Sequence, residues 1–226
     1  TTLKAMILAA GRGERLMPLT EKLPKPLIKI NGESLLERHL KRLRLSGFSE
    51  VVINTSYLGG MIEEIIGQGE RYGLTITYSR EPTPPLETAG GVVKALPLLG
   101  QTPFLLINAD IWTDMSFSQL KTSTNYPHLI LVPNPEYTSE GDFSIDGSWV
   151  MKADKNLYTY SGVGIYPPSF FSHPVRERQP LGPMLFTAAN KKLLQGAIYN
   201  GQWFDIGTKS RLTDARKKVR LLNTFQ

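Results

Sequence analysis

The sequence predicts an α/β fold in which helices flank a mostly parallel central sheet. Short apolar runs rich in β-branched residues alternate with segments of helical period, which is the pattern of βαβ units. A chain of 226 residues with 41% hydrophobic and 20% charged residues has the size and composition of one globular domain. We therefore expect a single domain spanning residues 1–226.

The first half of the chain shows the alternation most regularly. The predicted strands are residues 5–9, 51–54, 74–78 and 104–108. The predicted helices are residues 34–46, 61–66 and 88–96. Ser34 and Glu37 have the spacing of a capping box, and Gly47 lies just beyond the expected end of the first of these helices.

The second half is less regular. The predicted strands are residues 129–132, 158–166 and 197–199, and the predicted helices are residues 183–190 and 208–222. Residues 137–155 have the pattern of a hairpin or a loop. The composition changes near residues 133–142, which we interpret as the passage into a second lobe.

Composition and charge exclude several classes of site. The absence of cysteine excludes disulfides, thiolate metal sites and cysteine nucleophiles, and it fits a cytoplasmic protein. The apolar run 5–10 is too short for a membrane span or a signal sequence. The net charge of +6 is compatible with binding nucleic acid, an anionic membrane or phosphorylated small molecules. Because the densest basic segment, 211–220, has the pattern of a solvated helix face, we expect small-molecule partners, with no nucleic acid and no membrane.

The segment that follows the first predicted strand has the features of a phosphate-binding loop. It reads Leu-Ala-Ala-Gly-Arg-Gly-Glu-Arg-Leu over residues 8–16 and is followed by Pro-Lys-Pro over 24–26. Gly11 and Gly13 let backbone N–H groups approach a polyphosphate, and Arg15 and Lys25 supply positive charge. Leu16 stands where a dinucleotide-binding fingerprint needs a third glycine, and no Walker A motif is present.

This segment, together with Pro-Leu-Thr at 18–20, resembles the signature of the sugar-phosphate nucleotidylyltransferases. That family joins a nucleoside monophosphate to a sugar phosphate and releases pyrophosphate. The resemblance implies a Rossmann-like, GT-A-like fold with a nucleotide-binding half at about 1–132, a small sugar-phosphate lobe with the second metal ligand at about 133–210, and a C-terminal helix at about 208–222. Met17 replaces an arginine that is frequent in the signature. Because only a short segment follows residue 210, we expect no appended domain.

The resemblance also assigns a nucleotide site. It implies the nucleotide-binding residues Leu8, Ala9, Ala10, Gly11, Arg12, Gly13, Glu14, Arg15, Lys25, Glu81, Glu87, Thr88 and Gly90. Arg15 and Lys25 are then catalytic, because they would neutralise the transferred phosphate as its transition state forms. Glu87 replaces the common first glycine of the family segment Leu-Gly-Thr-Ala-Gly. Glu81 lies where relatives place a base-reading glutamine, and it is equally compatible with a solvated loop carboxylate.

Two further segments resemble the metal-binding segments of the family. Asn-Ala-Asp ends at Asp110, and Trp-Phe-Asp-Ile-Gly-Thr carries Asp205. The resemblance implies that both aspartates bind Mg²⁺, which prefers oxygen ligands and completes its shell with phosphates and water. Asp114 is a rival ligand, although residues 113–116 have the pattern of a helix N-terminus.

A narrower resemblance concerns the sugar. Glu87 in its segment, Trp112, and Gly-Asp-Phe at 141–143 resemble the bacterial uridylyltransferases that act on N-acetylmuramate 1-phosphate in peptidoglycan recycling. The Glu-Lys pair found in the sugar site of many relatives is absent between 141 and 162. The sugar-phosphate-binding candidates are Asn108, Gly141, Asp142, Tyr160, Ser161 and Gly162. Asp142 is equally compatible with a turn, and Arg80 or Lys152 are the cations available for a lactyl carboxylate.

The expected reaction is in-line attack of a sugar phosphate oxygen on the α-phosphorus of UTP. A phosphate monoester is already anionic, so no general base is needed, and we interpret His39, His128 and His173 as structural or surface residues. Two alternatives remain open. One is a nucleotidylyltransferase for the 1-phosphate of glucose, N-acetylglucosamine or mannose with dTTP or GTP, and the other is a non-catalytic sugar-nucleotide sensor. The oligomeric state expected is a monomer or a homodimer.

Overall fold

A computed structural model describes residues 3–120, 125–172 and 177–224 of the chain. The strands are β1 (Lys4–Leu8), β2 (Lys29–Ile30), β3 (Glu33–Ser34), β4 (Glu50–Thr55), β5 (Thr75–Arg80), β6 (Phe104–Asn108), β7 (Ile111–Thr113), β8 (His128–Pro133), β9 (Ser144–Asp146), β10 (Trp149–Met151), β11 (Tyr158–Tyr166), β12 (Gln195–Ile198) and β13 (Trp203–Asp205). The helices are α1 (Leu19–Lys22), α2 (Leu35–Leu45), α3 (Gly59–Ile66), α4 (Glu87–Leu99), α5 (Leu181–Asn190) and α6 (Lys209–Thr224).

A nine-stranded sheet forms the centre of the molecule, in the order β5-β4-β1-β6-β11-β8-β12-β10-β9. Strands β5, β4, β1 and β6 are parallel to one another, and β12 is parallel to β8. Strand β11 lies between β6 and β8 and runs antiparallel to both. The expected α/β fold is therefore confirmed, and the parallel half of the sheet is the half built by the N-terminal βαβ units.

The chain reverses its direction of sheet growth at β1. Strands β4 and β5 add on one side of β1, and β6 then adds on the other side. In an open parallel sheet such a reversal leaves a crevice outside the carboxyl ends of the two strands, because their connections diverge to opposite faces. The fold therefore predicts a ligand crevice between the loops that follow β1 and β6.

The period-2 alternation of the parallel strands fills two layers. Ile7 and Ile107 point to one face, and Met6 and Leu106 point to the other, all with no exposed surface. The first layer packs with α2 and α3, and the second packs with α4 and α5. Because both faces are covered, these strands read as continuous apolar runs, which is the pattern of a buried parallel sheet.

Helix α2 begins where the capping residues predict. Ser34 is its N-cap, the Ser34 Oγ accepts a hydrogen bond from the Glu37 N–H, and the Glu37 carboxylate accepts one from the Ser34 N–H. The helix ends before Gly47, which has φ +88°. The predicted capping box is confirmed.

A small two-stranded sheet lies beside the central one. Strands β7 and β13 pair antiparallel, so that Ile111 lies opposite Asp205. Trp112 of this sheet and Ile206, which directly follows it, form a third apolar cluster with α6. Sequence reasoning expected a helix to begin at residues 113–116, and this was wrong, because Thr113 ends β7 and the short 3₁₀ helix begins only at Phe117.

Within the described ranges, no helix is both long and apolar enough to cross a membrane.

The buried histidine of α2 should make stability depend on pH. His39 is fully buried, and burial together with the charge of Arg38 lowers the pKa of its imidazole to about 4. Between pH 6.5 and 4 the unfolded chain binds a proton at His39 and the native protein does not, so the free energy of unfolding falls as the pH falls through this window. In the wild-type protein we expect His39 to lower the free energy of unfolding by on the order of 3 kcal/mol between pH 7 and pH 4. The variant His39→Gln should not show this loss.

Urea unfolding at several pH values measures this difference in wild type and variant. Equal pH dependence in the two proteins would contradict the assignment of the loss to His39.

Candidate active site

A cavity of about 570 Å³ opens in the crevice outside β1 and β6. Its walls carry the loop that follows β1, the start of α4, and the residues that follow β6. It is lined by Leu8, Ala9, Ala10, Gly11, Arg12, Gly13, Glu14, Arg15, Lys25, Pro26, Asn54, Glu81, Pro85, Glu87, Thr88, Asn108, Ala109, Asp110 and Gly207. All but one of the nucleotide-binding candidates named from the sequence lie in this lining.

The loop after β1 is shaped by Gly13. This glycine has φ +68°, and a Cβ there would lie 3.0 Å from the Thr20 side chain and 3.3 Å from that of Lys25. Its carbonyl accepts a hydrogen bond from the Thr20 hydroxyl at 2.7 Å. Both the backbone conformation and the space require glycine. Gly11, by contrast, has nothing within 4 Å of the position of a Cβ.

Lys25 brings a buried positive charge to the cavity wall. It begins a short 3₁₀ helix, Lys25–Leu27, and is 8% exposed. Its Nζ donates to Asp110 Oδ2 at 2.7 Å. A lysine so buried is rare unless it is paired, and Asp110 is the partner that compensates its charge.

The pairing of β7 with β13 brings the two predicted metal ligands together. Asp110 immediately precedes β7 and Asp205 ends β13, and the Ile206 N–H donates to the Asp110 carbonyl at 2.9 Å. Burial raises the pKa of Asp205, and the charge of Asp110 raises it further, while Arg211 is the largest opposing influence. A carboxylate whose charged form is disfavoured by burial and by a neighbouring carboxylate gains from a bound cation.

These two carboxylates fit Mg²⁺. In the part of the chain that the structure describes, no three acidic or histidine side chains are grouped to hold a metal by themselves. Mg²⁺ commonly binds to one or two carboxylates and takes its other ligands from substrate phosphates and water. A pair of aspartates, of which Asp110 lines the cavity, is the donor set that this mode of binding needs.

Two residues that sequence reasoning did not assign complete this end of the site. Arg211 donates to Asp205 Oδ2 at 2.7 Å, and its guanidinium lies 3.8 Å from the ring centroid of Tyr137. Gly207 lines the cavity, and a Cβ there would lie 2.8 Å from Arg211, 2.9 Å from Asp205 and 3.4 Å from Arg15. The signal for Gly207 was present in the segment Trp-Phe-Asp-Ile-Gly-Thr, whereas the sequence marks Arg211 only as part of the basic segment 211–220.

Asn54 and Glu81 form another part of the cavity wall. Asn54, at the carboxyl end of β4, is 2% exposed and was not among the candidates. The same rule that drew attention to Asp110, a polar residue at the end of a buried strand, would have found it. Glu81 follows β5 and binds Asn54 Nδ2 through Oε1 at 2.7 Å.

The turn before α4 is held by a segment of the second half of the chain. Glu87 has φ +67°, a conformation that favours glycine, and its carboxylate accepts from Arg178 at 3.3 Å. The Thr88 hydroxyl accepts from the Leu181 N–H at 2.8 Å. Gly90 does not line the cavity, because its N–H donates to the Gln179 carbonyl at 3.0 Å and its Cα faces that segment.

The sugar-phosphate candidates divide into two groups. Asn108 lines the cavity, and Gly162 packs on its side chain with φ +80°, in a bulge of β11. Ser161 in the same bulge is fully buried, and its hydroxyl donates to the Ile130 carbonyl at 2.6 Å. Ser161 therefore points into the sheet. We had expected its hydroxyl to face the cavity and bind the sugar phosphate, and it does not face the cavity.

Gly141, Asp142 and Tyr160 do not line the cavity. Asp142 Oδ2 accepts from the Tyr160 N–H at 2.8 Å, which fastens the residues before β9 to the start of β11. Tyr160 accepts from the Tyr166 hydroxyl at 2.9 Å, and burial raises the pKa of Tyr160. These contacts stabilise the structure of the second lobe beside the cavity.

The remaining polar candidates lie elsewhere. Arg80 is paired with Glu63, and Lys152 donates to the Asp142 carbonyl at 2.8 Å, so neither lines the cavity. Asp114, the rival metal ligand, accepts from the Gln202 N–H and the Tyr199 hydroxyl. His173 lies outside the described residues.

Comparison with known proteins gives concordant results. Residues 4–127 match the family model described as nucleotidyl transferase. The chain is 44% identical over 224 residues to the N-acetylmuramate alpha-1-phosphate uridylyltransferase of Neisseria meningitidis serogroup B, covering 95% of this chain and 97% of that protein. It is 31% identical to a mannose-1-phosphate guanylyltransferase catalytic subunit beta of Danio rerio, covering 91% of this chain and 61% of that protein.

Solved structures share the fold at low sequence identity. A sucrose-bound protein of Bacillus anthracis, described as a candidate glucose-1-phosphate thymidylyltransferase, superposes with a TM-score of 0.86 at 18% identity, covering 97% of this chain and 96% of that one. HddC from Yersinia pseudotuberculosis superposes with a TM-score of 0.79 at 20% identity, covering 96% of this chain and 100% of that one.

Proposed function

The chain belongs to the nucleotidyl transferase family, and from that premise we propose that it transfers a uridylyl group from UTP to N-acetyl-α-muramate 1-phosphate. The products are UDP-N-acetylmuramate and pyrophosphate. The observation that carries the proposal is the 44% identity to the Neisseria uridylyltransferase, which extends over nearly the whole of both chains. The guanylyltransferase relative, which is named for another sugar, matches over a smaller share of its own length.

The reaction forms one bond and breaks one bond at the α-phosphorus of UTP. An oxygen of the sugar phosphate attacks this phosphorus, and the bond to the bridging oxygen of the β-phosphate breaks, so that pyrophosphate leaves. The attacking oxygen is anionic at neutral pH and needs no general base. Catalysis then depends on holding the two phosphates in line and on neutralising the charge that develops between them.

Arg15 and Lys25 are the proposed catalytic cations. Both line the cavity, Lys25 is held by Asp110, and Arg15 lies beside Gly207. Lys25, which is buried and paired, is a fixed positive charge of the kind that stabilises a phosphoryl transition state without reorganisation during the reaction. The other nucleotide contacts are assigned to the loop 8–14 and the turn 87–88, and Asn108 is assigned to the sugar phosphate.

Asp110 and Asp205 are the proposed Mg²⁺ ligands. The bound ion would supply charge neutralisation between the phosphates of the two substrates. Lys25 and Arg211, which pair with these carboxylates, hold them in place beside the cavity. We further propose that residues 1–132 bind the nucleotide and that residues 133–210 form the sugar-phosphate lobe of the same domain. We also propose that the protein is cytoplasmic and acts as a monomer or a homodimer.

Pyrophosphate release from a substrate panel tests the proposal. UTP, dTTP, CTP, GTP and ATP are each offered with the 1-phosphates of N-acetylmuramate, N-acetylglucosamine, glucose and mannose, with and without Mg²⁺. We expect release with UTP and N-acetylmuramate 1-phosphate that requires the metal. Release with a different pair alone would replace the substrate and keep the enzyme class. Saturable binding of a sugar nucleotide with no release from any pair would instead support a sensor.

A further inference from the structure

Two polar side chains form a hydrogen-bonded bridge in the wall of the cavity. The Asn54 Oδ1 accepts from the Ala9 N–H at 2.7 Å, and the Asn54 Nδ2 donates to Glu81 Oε1 at 2.7 Å. The second carboxylate oxygen, Oε2, accepts from the Leu86 N–H at 2.9 Å. We call this arrangement the Asn54–Glu81 bridge. It joins the backbone at Ala9 to the backbone at Leu86.

The bridge connects the two loops that line the cavity. Ala9 begins the loop that follows β1, and Leu86 is the N-cap of α4, next to Glu87, which lines the cavity. Asn54 lies near the end of β4 and Glu81 follows the end of β5, so the bridge also rests on the edge of the parallel sheet. The separation of the two loops is therefore fixed by side chains and not only by the sheet.

The direction of each hydrogen bond in the bridge is fixed by the chemistry of its donor and acceptor. A backbone N–H can only donate, so the Ala9 N–H requires the oxygen of Asn54, and the nitrogen of that amide then requires an acceptor. An ionised carboxylate accepts at both oxygens, which also satisfies the Leu86 N–H. Glutamine in place of Glu81 would set its own N–H₂ against one of the two donors. Asn54 and Glu81 are thus a matched pair.

Helix α4 packs directly on the bridge. A Cβ at Gly91 would lie 2.7 Å from Asn54 Nδ2 and would collide with Glu81 Oε1. Glycine at this position lets the N-terminal part of α4 approach the two side chains closely. The Glu81 carboxylate, although it borders the cavity, is thereby held between Asn54, Leu86 and α4.

We propose that Asn54 and Glu81 are positioning residues that set the spacing of the two loops for the nucleoside triphosphate, with Glu81 acting through Leu86 and not by contact with the base. The inference rests on the proposed function in so far as the cavity holds the nucleotide. It assigns a role to Asn54 and makes Glu81 part of the framework of the site.

Substitutions that exchange a donor for an acceptor in the bridge test the positioning role of Asn54 and Glu81. Asn54→Asp keeps the acceptor for Ala9 but sets a carboxylate against Glu81. Glu81→Gln keeps the acceptor for Asn54 but sets a donor against Leu86. We expect each change to raise the dissociation constant of UTP about tenfold or more, and to leave the constant for the sugar phosphate within about twofold, because one buried charged hydrogen bond is lost.

The double variant Asn54→Asp/Glu81→Gln restores all three hydrogen bonds and reverses the direction of only one, the bond between residues 54 and 81. The new aspartate accepts from Ala9 and from the side-chain N–H₂ of the new glutamine, and the amide oxygen of that glutamine accepts from Leu86. We expect its dissociation constant for UTP to return to within about threefold of wild type, as coupled residues do in a double-mutant cycle. The measurements are made by calorimetry at pH 8, because a proton shared by two carboxylates at lower pH would itself restore a donor.

Asn156→Asp is the matched control. Asn156 is also 2% exposed, accepts from a backbone N–H and donates to a backbone oxygen, both of Ala153, outside the cavity lining. This variant should lose thermal stability without weakening UTP binding. Single bridge variants that behave like the control, with lower stability and unchanged UTP binding, would overturn the positioning role.

A second outcome would also overturn the inference. If Glu81 contacts the base, the double variant would recover its thermal stability while UTP binding stays weak. The calorimetric measurement does not require turnover, so failure of the proposed function is seen separately, as wild-type protein that binds UTP and forms no product.

Discussion

Asp110→Asn is expected to lower kcat about a thousandfold or more, because a catalytic metal supplies several kcal/mol of charge stabilisation and each 1.4 kcal/mol is about tenfold in rate. The change keeps the shape of the side chain and an oxygen that can accept from Lys25, so the fold should survive. Asp205→Asn should act in the same direction, since Asp205 lies on the strand paired with the one that follows Asp110. Steady-state rates over a range of Mg²⁺ concentrations measure both effects.

Asp114→Asn is the control for this prediction. Asp114 lies four residues from Asp110, but its carboxylate binds the Gln202 N–H and the Tyr199 hydroxyl and does not line the cavity. We expect its kcat to stay within about twofold of wild type, as for surface substitutions away from a site. Wild-type turnover and an unchanged Mg²⁺ dependence in Asp110→Asn would contradict the metal assignment.

Lys25→Ala is expected to lower kcat by about a hundred- to a thousandfold, the effect of removing one preorganised positive donor from a developing anion. The loss should fall mainly on kcat, because the charge is needed most when the phosphate passes through its transition state. The variant also leaves Asp110 without its 2.7 Å ion pair, so melting temperatures are measured in parallel. A small primary amine such as ethylamine, added to the assay, should restore part of the lost rate.

Lys22→Ala provides the comparison. Lys22 is a lysine at the end of α1, three positions earlier, and it does not line the cavity. Its loss should change kcat by no more than about twofold. A Lys25→Ala enzyme that kept its turnover and changed only its preference among sugar phosphates would show that this lysine does not act on the nucleotide phosphates.

Much of the fold was predictable from local patterns. The strand Phe104–Asn108 and the strand Tyr158–Tyr166 have the predicted bounds, and the helix capped by Ser34 begins where its capping box places it. These elements are encoded within a few residues, by apolar runs, by β-branched side chains and by a cap. Sequence reasoning missed the pairing of β7 with β13, because three-residue strands carry too little pattern to be distinguished from loops.

The candidate site divides in the same way. Glycines and charges in a continuous motif, such as Gly13 and Lys25, line the cavity as expected. Ser161 does not, because its place in a β-bulge turns the hydroxyl toward Ile130, and a bulge depends on the register of the neighbouring strand. Asn54 could have been found as a polar residue at the end of a buried strand, but its hydrogen bonds could not, because its partners lie 45 and 27 residues away.

The sequence by itself determined the class of fold, through the alternation of strand and helix patterns along the chain. It also predicted the phosphate-binding loop and the two metal-binding aspartates, because each lies in a short contiguous motif with its own physical requirement. Only the tertiary structure decided that Asp110 and Asp205 lie on neighbouring segments, that Arg211 reaches Asp205, and that Glu81 binds Asn54. The reason is that a hydrogen bond forms over about 3 Å in space. Which residues come within that distance is set by strand order and register, to which the whole chain contributes.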